Sequence, residues 1–257
     1  KILLIHQHYF PEMSGTARRS KELAENFIIK GHTVSVLTST PREYRSLPGE
    51  NYDLNETING VLVYRINNFI EVKENVLLRM MSYFSFVLLS IRLGIKISRK
   101  VDIIISIAPL SSGIIGSILK IINKKHHHFD IPDILPDLGI SAGMIKNKFV
   151  IFLLKKLEKW VYNNSNTIST CTKGQMKNII DKQVSRTKIS CIPDWIDTSF
   201  FHDNLKKYED YIIKEYSRPN KKIIAFVGNI GALQNPKIFI EVMEDLKVNH
   251  HNQFLFC

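Results

Sequence analysis

Two stretches of this sequence put ionisable side chains beside a helix start or a strand end, where acid–base or phosphate chemistry can be done. The first is His6-Gln7-His8-Tyr9-Phe10-Pro11-Glu12, followed closely by Ser14-Gly15-Thr16. Ser, Gly and Thr before an apolar-periodic segment supply a turn and an N-cap, and the free N–H groups of a helix's first turn welcome phosphate. The alternative is an ordinary strand-to-helix turn that contains a glycine. The second stretch is His126-His127-His128-Phe129-Asp130. A histidine and an aspartate within hydrogen-bond reach can move a proton or polarise a hydroxyl group. Adjacent residues on a strand point to opposite faces, so the three histidines cannot all hold one metal ion. A structural role for at least two of them is the competing reading. Asp133 and Asp137 follow in DIPDILPDLG, a proline-interrupted loop in which they read as solvated or capping groups.

The elements that must position these groups alternate. Ile2 to Ile5 reads as a buried strand, ARRSKELAENFIIKGH as a helix ended by Gly31, and Thr33 to Thr38 as the next strand. That is a βαβ unit with a parallel pair. Strands are expected over 61–66, 101–107, 167–170 and 188–192, with another near His126. Helices are expected over 76–98, 112–122, 149–163 and from Lys173. Residues 1–197 therefore read as a doubly wound, Rossmann-like α/β domain with a parallel sheet. Residues 198–221 are polar, end in Pro219-Asn220 and read as a linker. Residues 222–257 give one further βαβ unit, the incomplete start of a second Rossmann-like domain.

Composition narrows the partners. Lys and Arg number 35 against 24 Asp and Glu, a net charge of +11 that favours acidic partners. No recognition-helix or aromatic-interleaved basic pattern accompanies it, so nucleic acid is not expected. Neither GxGxxG nor GxxxxGK[ST] occurs, which argues against a dinucleotide dehydrogenase and a P-loop nucleotidase. Cys171, Cys191 and Cys257 have no disulfide or zinc spacing, as in a reducing, cytoplasmic setting. KILLIHQHYFP reads as a strand, not a signal peptide, and no run of about 18 uninterrupted apolar residues appears. Residues 76–98 allow two readings. They form either a buried helix or an interfacial one, with Arg79, Arg92 and Lys96 meeting anionic headgroups.

Four segments, in order, resemble one family. HQHYFPEMSGTARRSKELAENFIIKGHTVSVLT is similar to the "YFPE…G" loop and "GH.V.V.T" helix end of bacterial family 4 glycosyltransferases, and IIAFVGNIGALQNP to the phosphate loop of members close to amino-sugar transferases of capsule and O-antigen clusters. LEKWVYNNSNTISTCTKGQMKNII and ISCIPDWIDTSFF resemble segments of the same family that lie between these two. The resemblance implies a GT-B enzyme that moves a sugar from a nucleotide-sugar to a lipid-linked saccharide acceptor, with retention, without metal or cofactor. It would work at the inner face of the plasma membrane, with Arg79, Arg92 and Lys96 on the acceptor side. Donor phosphate would meet Ser14, Gly15 and Thr16 from one wall, and Gly228, Asn229, Gly231 and Gln234 from the other. Asp130, or His128 beside it, matches the family's His/Asp position near the reacting sugar. Two departures accompany it. Asn229 and Gln234 stand where the family has Arg and Lys, and its paired glutamates would fall beyond Cys257. Weak donor binding, or none, is therefore the expectation. A non-catalytic membrane-surface protein of this fold, or a nucleotide-sugar 2-epimerase-like enzyme, is the alternative.

Overall fold

The computed structural model describes residues 1–42, 46, 49, 52–69, 76–196, 198, 222–226, 235–249 and 254–256. The chain divides into Lys1–Pro193 and Asp194–Cys257.

The first unit is built on an eight-stranded sheet. In chain order its elements are β1 (Ile2–Ile5), α1 (Gly15–Ile29), β2 (Val34–Ser39), β3 (Asn55–Ile58), β4 (Val61–Ile66) and α2 (Val76–Ser98). Then come β5 (Ile103–Ile107), α3 (Leu110–Asn123), β6 (His126–Ile131), α4 (Asp137–Ser141), α5 (Lys148–Asn164), β7 (Thr167–Thr170), α6 (Lys173–Asp181) and β8 (Ile189–Cys191). The strand order is β3-β4-β2-β1-β5-β6-β7-β8, parallel throughout except for β3. The doubly wound parallel sheet expected from the sequence is what the chain forms. The order reverses at β1, which pairs with β2 on one side and β5 on the other. In open sheets of this kind the crevice at such a reversal is the usual ligand site.

Local chemistry explains the elements. Every residue of β1 and β2 is buried, because helices cover both faces of a parallel sheet. Ser14 caps α1 by accepting from the Ala17 N–H at 3.2 Å, and Gly31 closes it with a φ of 82°. Thr172 and Gln175 form a reciprocal capping box on α6. The antiparallel strand β3 was not expected. It is polar and lies at the edge, but it is joined to β4 by Asn59-Gly60, both at positive φ. That dipeptide is the usual tight-hairpin connection and was the available signal.

The core lies in three clusters. One joins α1 to β1, β2 and β4; a second joins α2 and α3 to the sheet. The third joins α3, α5 and α6 to β6, β7 and β8. α3 approaches the sheet closely because its inner face is small: Ser112, Gly113, Gly116 and Ser117 are all buried. By length and composition α2 could cross a membrane, with mean hydropathy 1.4 over an 18-residue stretch within Leu77–Ser98. Serines and arginines break up that run, which is why a search for uninterrupted apolar residues passes over it. Here α2 packs along α3.

The second unit contains β9 (Lys222–Ile224), α7 (Pro236–Asn249) and β10 (Phe254–Phe256), with β9 and β10 parallel. Phe226 and Phe239 pack ring against ring at 5.5 Å between centroids.

His127 shows how tight the α3 contact is. It is fully buried, with Nε2 at 2.6 Å from Ser106 Oγ. A Cβ added at Gly116 would lie 2.3 Å from that nitrogen. Gly116→Ala should therefore destabilise the domain by about 1–3 kcal/mol, read by urea unfolding. An unchanged midpoint would show that the ring has somewhere to go.

Candidate active site

The carboxyl end of the sheet is organised around the β1–α1 loop. Gln7 holds it in place: Nε2 donates to Ser82 Oγ of α2 at 3.0 Å, and Oε1 accepts from Ser111 at the start of α3 at 3.3 Å. The Gln7 carbonyl accepts from the Thr38 and Ser39 hydroxyls of β2. One buried side chain and its carbonyl thus join the loop to three elements. Further along, the Phe10 carbonyl accepts from Arg65 at 2.8 Å.

Glu12 lies under the loop with its carboxylate fully buried. It accepts from Arg42 through the backbone N–H at 2.9 Å, Nη2 at 2.9 Å and Nε at 3.2 Å, while His8 Nδ1 lies 3.2 Å away. Burial alone would raise its pKa. The hydrogen bonds and charges of His8 and Arg42 outweigh that and bring it to about 2. His6 is fully buried, with Nδ1 3.2 Å from the Ile107 carbonyl, and burial lowers its pKa to about 3.

Ser14, Gly15 and Thr16 form the first turn of α1 at this end of the sheet. Gly15 is exposed, and a Cβ added to it would meet nothing within 4 Å. The fold itself therefore does not require glycine here, and the space beside Gly15 is open.

A buried charge pair fixes that helix. Arg19 Nε donates to Asp130 Oδ2 at 3.0 Å and Nη2 to Oδ1 at 3.3 Å, with both side chains less than a tenth exposed. Ser169 of β7 donates to Asp130 Oδ1 at 2.5 Å. His128 continues the chain, with Nε2 at 2.9 Å from Ser169 Oγ and Nδ1 at 2.8 Å from Thr167 Oγ1. Since Ser169 spends its proton on Asp130, His128 must donate through Nε2 and accept at Nδ1. Burial lowers the His128 pKa, partly offset by Asp130. The structure thus brings His128 and Asp130 together on one face of β6. Both carboxylate oxygens are engaged, and Asp130 anchors α1 near the carboxyl end of the sheet. His127 points the other way, against α3, as strand alternation requires.

Other expected residues are not gathered here. Arg79 lies near the start of α2, whereas Arg92 and Lys96 lie roughly 20 Å further along it, toward the amino end of the sheet. Gly228, Asn229, Gly231 and Gln234 lie outside the described residues. Arg19 and Arg42 were missed by sequence reasoning. Arg18 and Arg19 are adjacent and chemically identical, and only the fold puts one outside and the other under the loop.

The fold has solved relatives. The chain superposes on HepE from Anabaena, in complex with UDP and glucose, with a TM-score of 0.60 and 13% identity, covering 100% of this chain and 60% of that one. It matches the catalytic domain of starch synthase IV from Arabidopsis thaliana, bound to ADP and acarbose, with a TM-score of 0.63 and 10% identity, covering 99% of this chain and 67% of that one. Fold and sheet are those of the GT-B glycosyltransferases. Residues 13–200 match Glycosyltransferase Family 4, and the chain belongs to that family. Among curated proteins, it is 27% identical over 256 residues to the colanic acid biosynthesis glycosyl transferase WcaI of Escherichia coli (strain K12). That match covers 96% of this chain and 63% of WcaI.

Glu12 yields a pH-dependent prediction. Its pKa in the folded state lies below the ordinary 4.5, so its contribution is complete above that value and is lost as pH falls toward about 2. Glu12→Gln leaves Arg42 buried without its counter-charge and should cost about 3–5 kcal/mol at neutral pH. In urea unfolding at a series of pH values, the gap to the unsubstituted protein should narrow below pH 4.5. A gap independent of pH would contradict the pairing.

Proposed function

We propose that the protein transfers a sugar from a nucleotide-sugar to a lipid-linked saccharide in bacterial surface polysaccharide synthesis. Capsule or O-antigen assembly is the setting, at the inner face of the plasma membrane. The observation that carries this reading is the exposed Gly15 in the first turn of α1 at the sheet's reversal point, with that helix held by Arg19 and Asp130. Family membership and the likeness to WcaI support it.

In this proposal the leaving diphosphate is met by the N–H groups of Gly15 and Thr16 and by the N-terminal dipole of α1. Those donors are already aimed, because Gln7 and the Arg19–Asp130 pair fix the helix and its loop. Gly228, Asn229, Gly231 and Gln234 are proposed as further donor-phosphate contacts. Asp130 and His128 are proposed to lie beside the donor sugar, with Asp130 also holding α1. Transfer is proposed to retain the anomeric configuration and to need no metal or cofactor. Protein N–H groups and cationic side chains stabilise the departing charge.

Titration with UDP-, GDP- and dTDP-sugars, followed by thermal unfolding and by transfer to a lipid-linked acceptor, tests the reading. One nucleotide-sugar at a hundredfold over its Kd should stabilise the protein by about 2.7 kcal/mol. Gly15→Val should leave unliganded stability unchanged, since the added side chain meets open space, while weakening that response at least about tenfold. Stabilisation by no nucleotide-sugar, or an undiminished response in Gly15→Val, would sink it. Turnover of the donor's sugar at C2 without an acceptor would favour an epimerase instead.

A further inference from the structure

A helix on the surface of a domain normally turns its large apolar side chains inward. α2 and α5 do so with Phe86, Ile97, Val161 and Tyr162, but each also turns a set of large apolar side chains outward. On α2 the buried positions include Ser82, Ser90, Gly94 and Ser98, while Leu77, Met81, Phe84 and Leu88 form an exposed stripe. On α5 the inward face carries Glu158, Val161 and Tyr162, and Phe149, Phe152 and Leu153 face solvent. Phe149 is 68% exposed and Phe84 65%, values at odds with a face meant for water.

The two faces belong to one side of the molecule. α2 and α5 both pack on α3, so all three lie on the same side of the sheet. Helices that return from parallel strands begin at the carboxyl end of the sheet, and both stripes occupy the first half of their helix. The apolar patches therefore lie toward the cleft end.

Charge identifies the occupant. α2 contains no acidic residue and continues into Arg92, Lys96, Arg99 and Lys100. On α5, Lys148, Lys155, Lys156 and Lys159 are exposed. Its single acid, Glu158, is turned inward and bonded to Lys182 at 2.6 Å. Lys156 lies over the Phe152 ring, 4.7 Å from its centroid. Exposed aliphatic and aromatic side chains bordered by cations, with no exposed acid on either helix, match the headgroup and upper acyl region of an anionic bilayer.

We infer that α2 and α5 together seat the protein on an anionic membrane, both helices lying in the interface. The inference deepens the proposed function and rests on it for purpose, because a lipid-linked acceptor lies in that surface. α2 lies on the surface and does not cross it, since its other face is packed against α3 and Ser82 is bonded to Gln7. The same bond ties the seat to the β1–α1 loop, so docking fixes how that loop faces the lipid.

Sedimentation of the full chain with vesicles tests this, using phosphatidylcholine alone or mixed with phosphatidylglycerol. Binding is expected to the mixed vesicles and to weaken as salt rises. Phe149→Ser with Phe152→Ser, and separately Met81→Ser with Phe84→Ser, should each weaken it about tenfold or more. Lys155→Glu with Lys156→Glu should do the same, and none of the three should move the unfolding midpoint, because every altered side chain is exposed. No binding to mixed vesicles, or full binding by the α5 variants, would overturn the inference. So would a stable dimer that those variants split. Vesicle binding without any response to nucleotide-sugars would sink sugar transfer and leave the seat standing.

Discussion

A charge buried without a partner costs several kcal/mol, and the carboxyl end of this sheet holds two buried guanidinium–carboxylate pairs within one small region. Arg19 with Asp130, and Arg42 with Glu12, can persist only while the β1–α1 loop, β2 and β6 keep their positions. The arrangement is self-enforcing. Moving α1 would take the Arg19 charge from Asp130, and lifting the loop would take the Glu12 charge from Arg42. Ion pairs of this kind are poor sources of net stability but strong sources of position. What they position is the open first turn of α1.

The parallel sheet makes this arrangement possible. Because β1 lies where the strand order reverses, α1 and α3 cover opposite faces of the sheet, and their starts meet at the point where such sheets usually bind ligands. Gln7 then links the loop to α2, α3 and β2 with its side chain and carbonyl. The polar ladder Thr167–His128–Ser169–Asp130–Arg19 connects β7 to α1 across β6. Preorganisation of this kind lets backbone dipoles meet developing charge without moving at the moment of reaction.

Most of this architecture is legible in the sequence, because buried parallel strands read as apolar runs and helices carry their own caps. IIISI, the Ser14 cap and the Gly31 stop announce themselves. What is not legible depends on tertiary context. β3 reads NETI, polar because it lies at the edge, and only Asn59-Gly60 betrays the hairpin. The burial of Arg19, next to an exposed Arg18, follows from the phase of α1 against β6, which no local pattern encodes. The loop and the HHHFD strand were recognisable as chemistry-bearing. That Asp130 would be held from both sides was not, since its partners lie 111 and 39 residues away. The outward apolar face of α5 was hidden for a related reason. An amphipathic pattern gives the period of a helix but not which side meets the sheet.

The central claim is that the Arg19–Asp130 pair holds α1 where a donor phosphate can use it. A double-mutant cycle with Arg19→Met and Asp130→Asn, read by unfolding free energy and by nucleotide-sugar affinity, tests it most directly. Each single substitution should cost about 3–5 kcal/mol and weaken donor binding, and the double substitution should cost clearly less than the sum. Losses that add within about 0.5 kcal/mol, with donor affinity unchanged, would contradict the account.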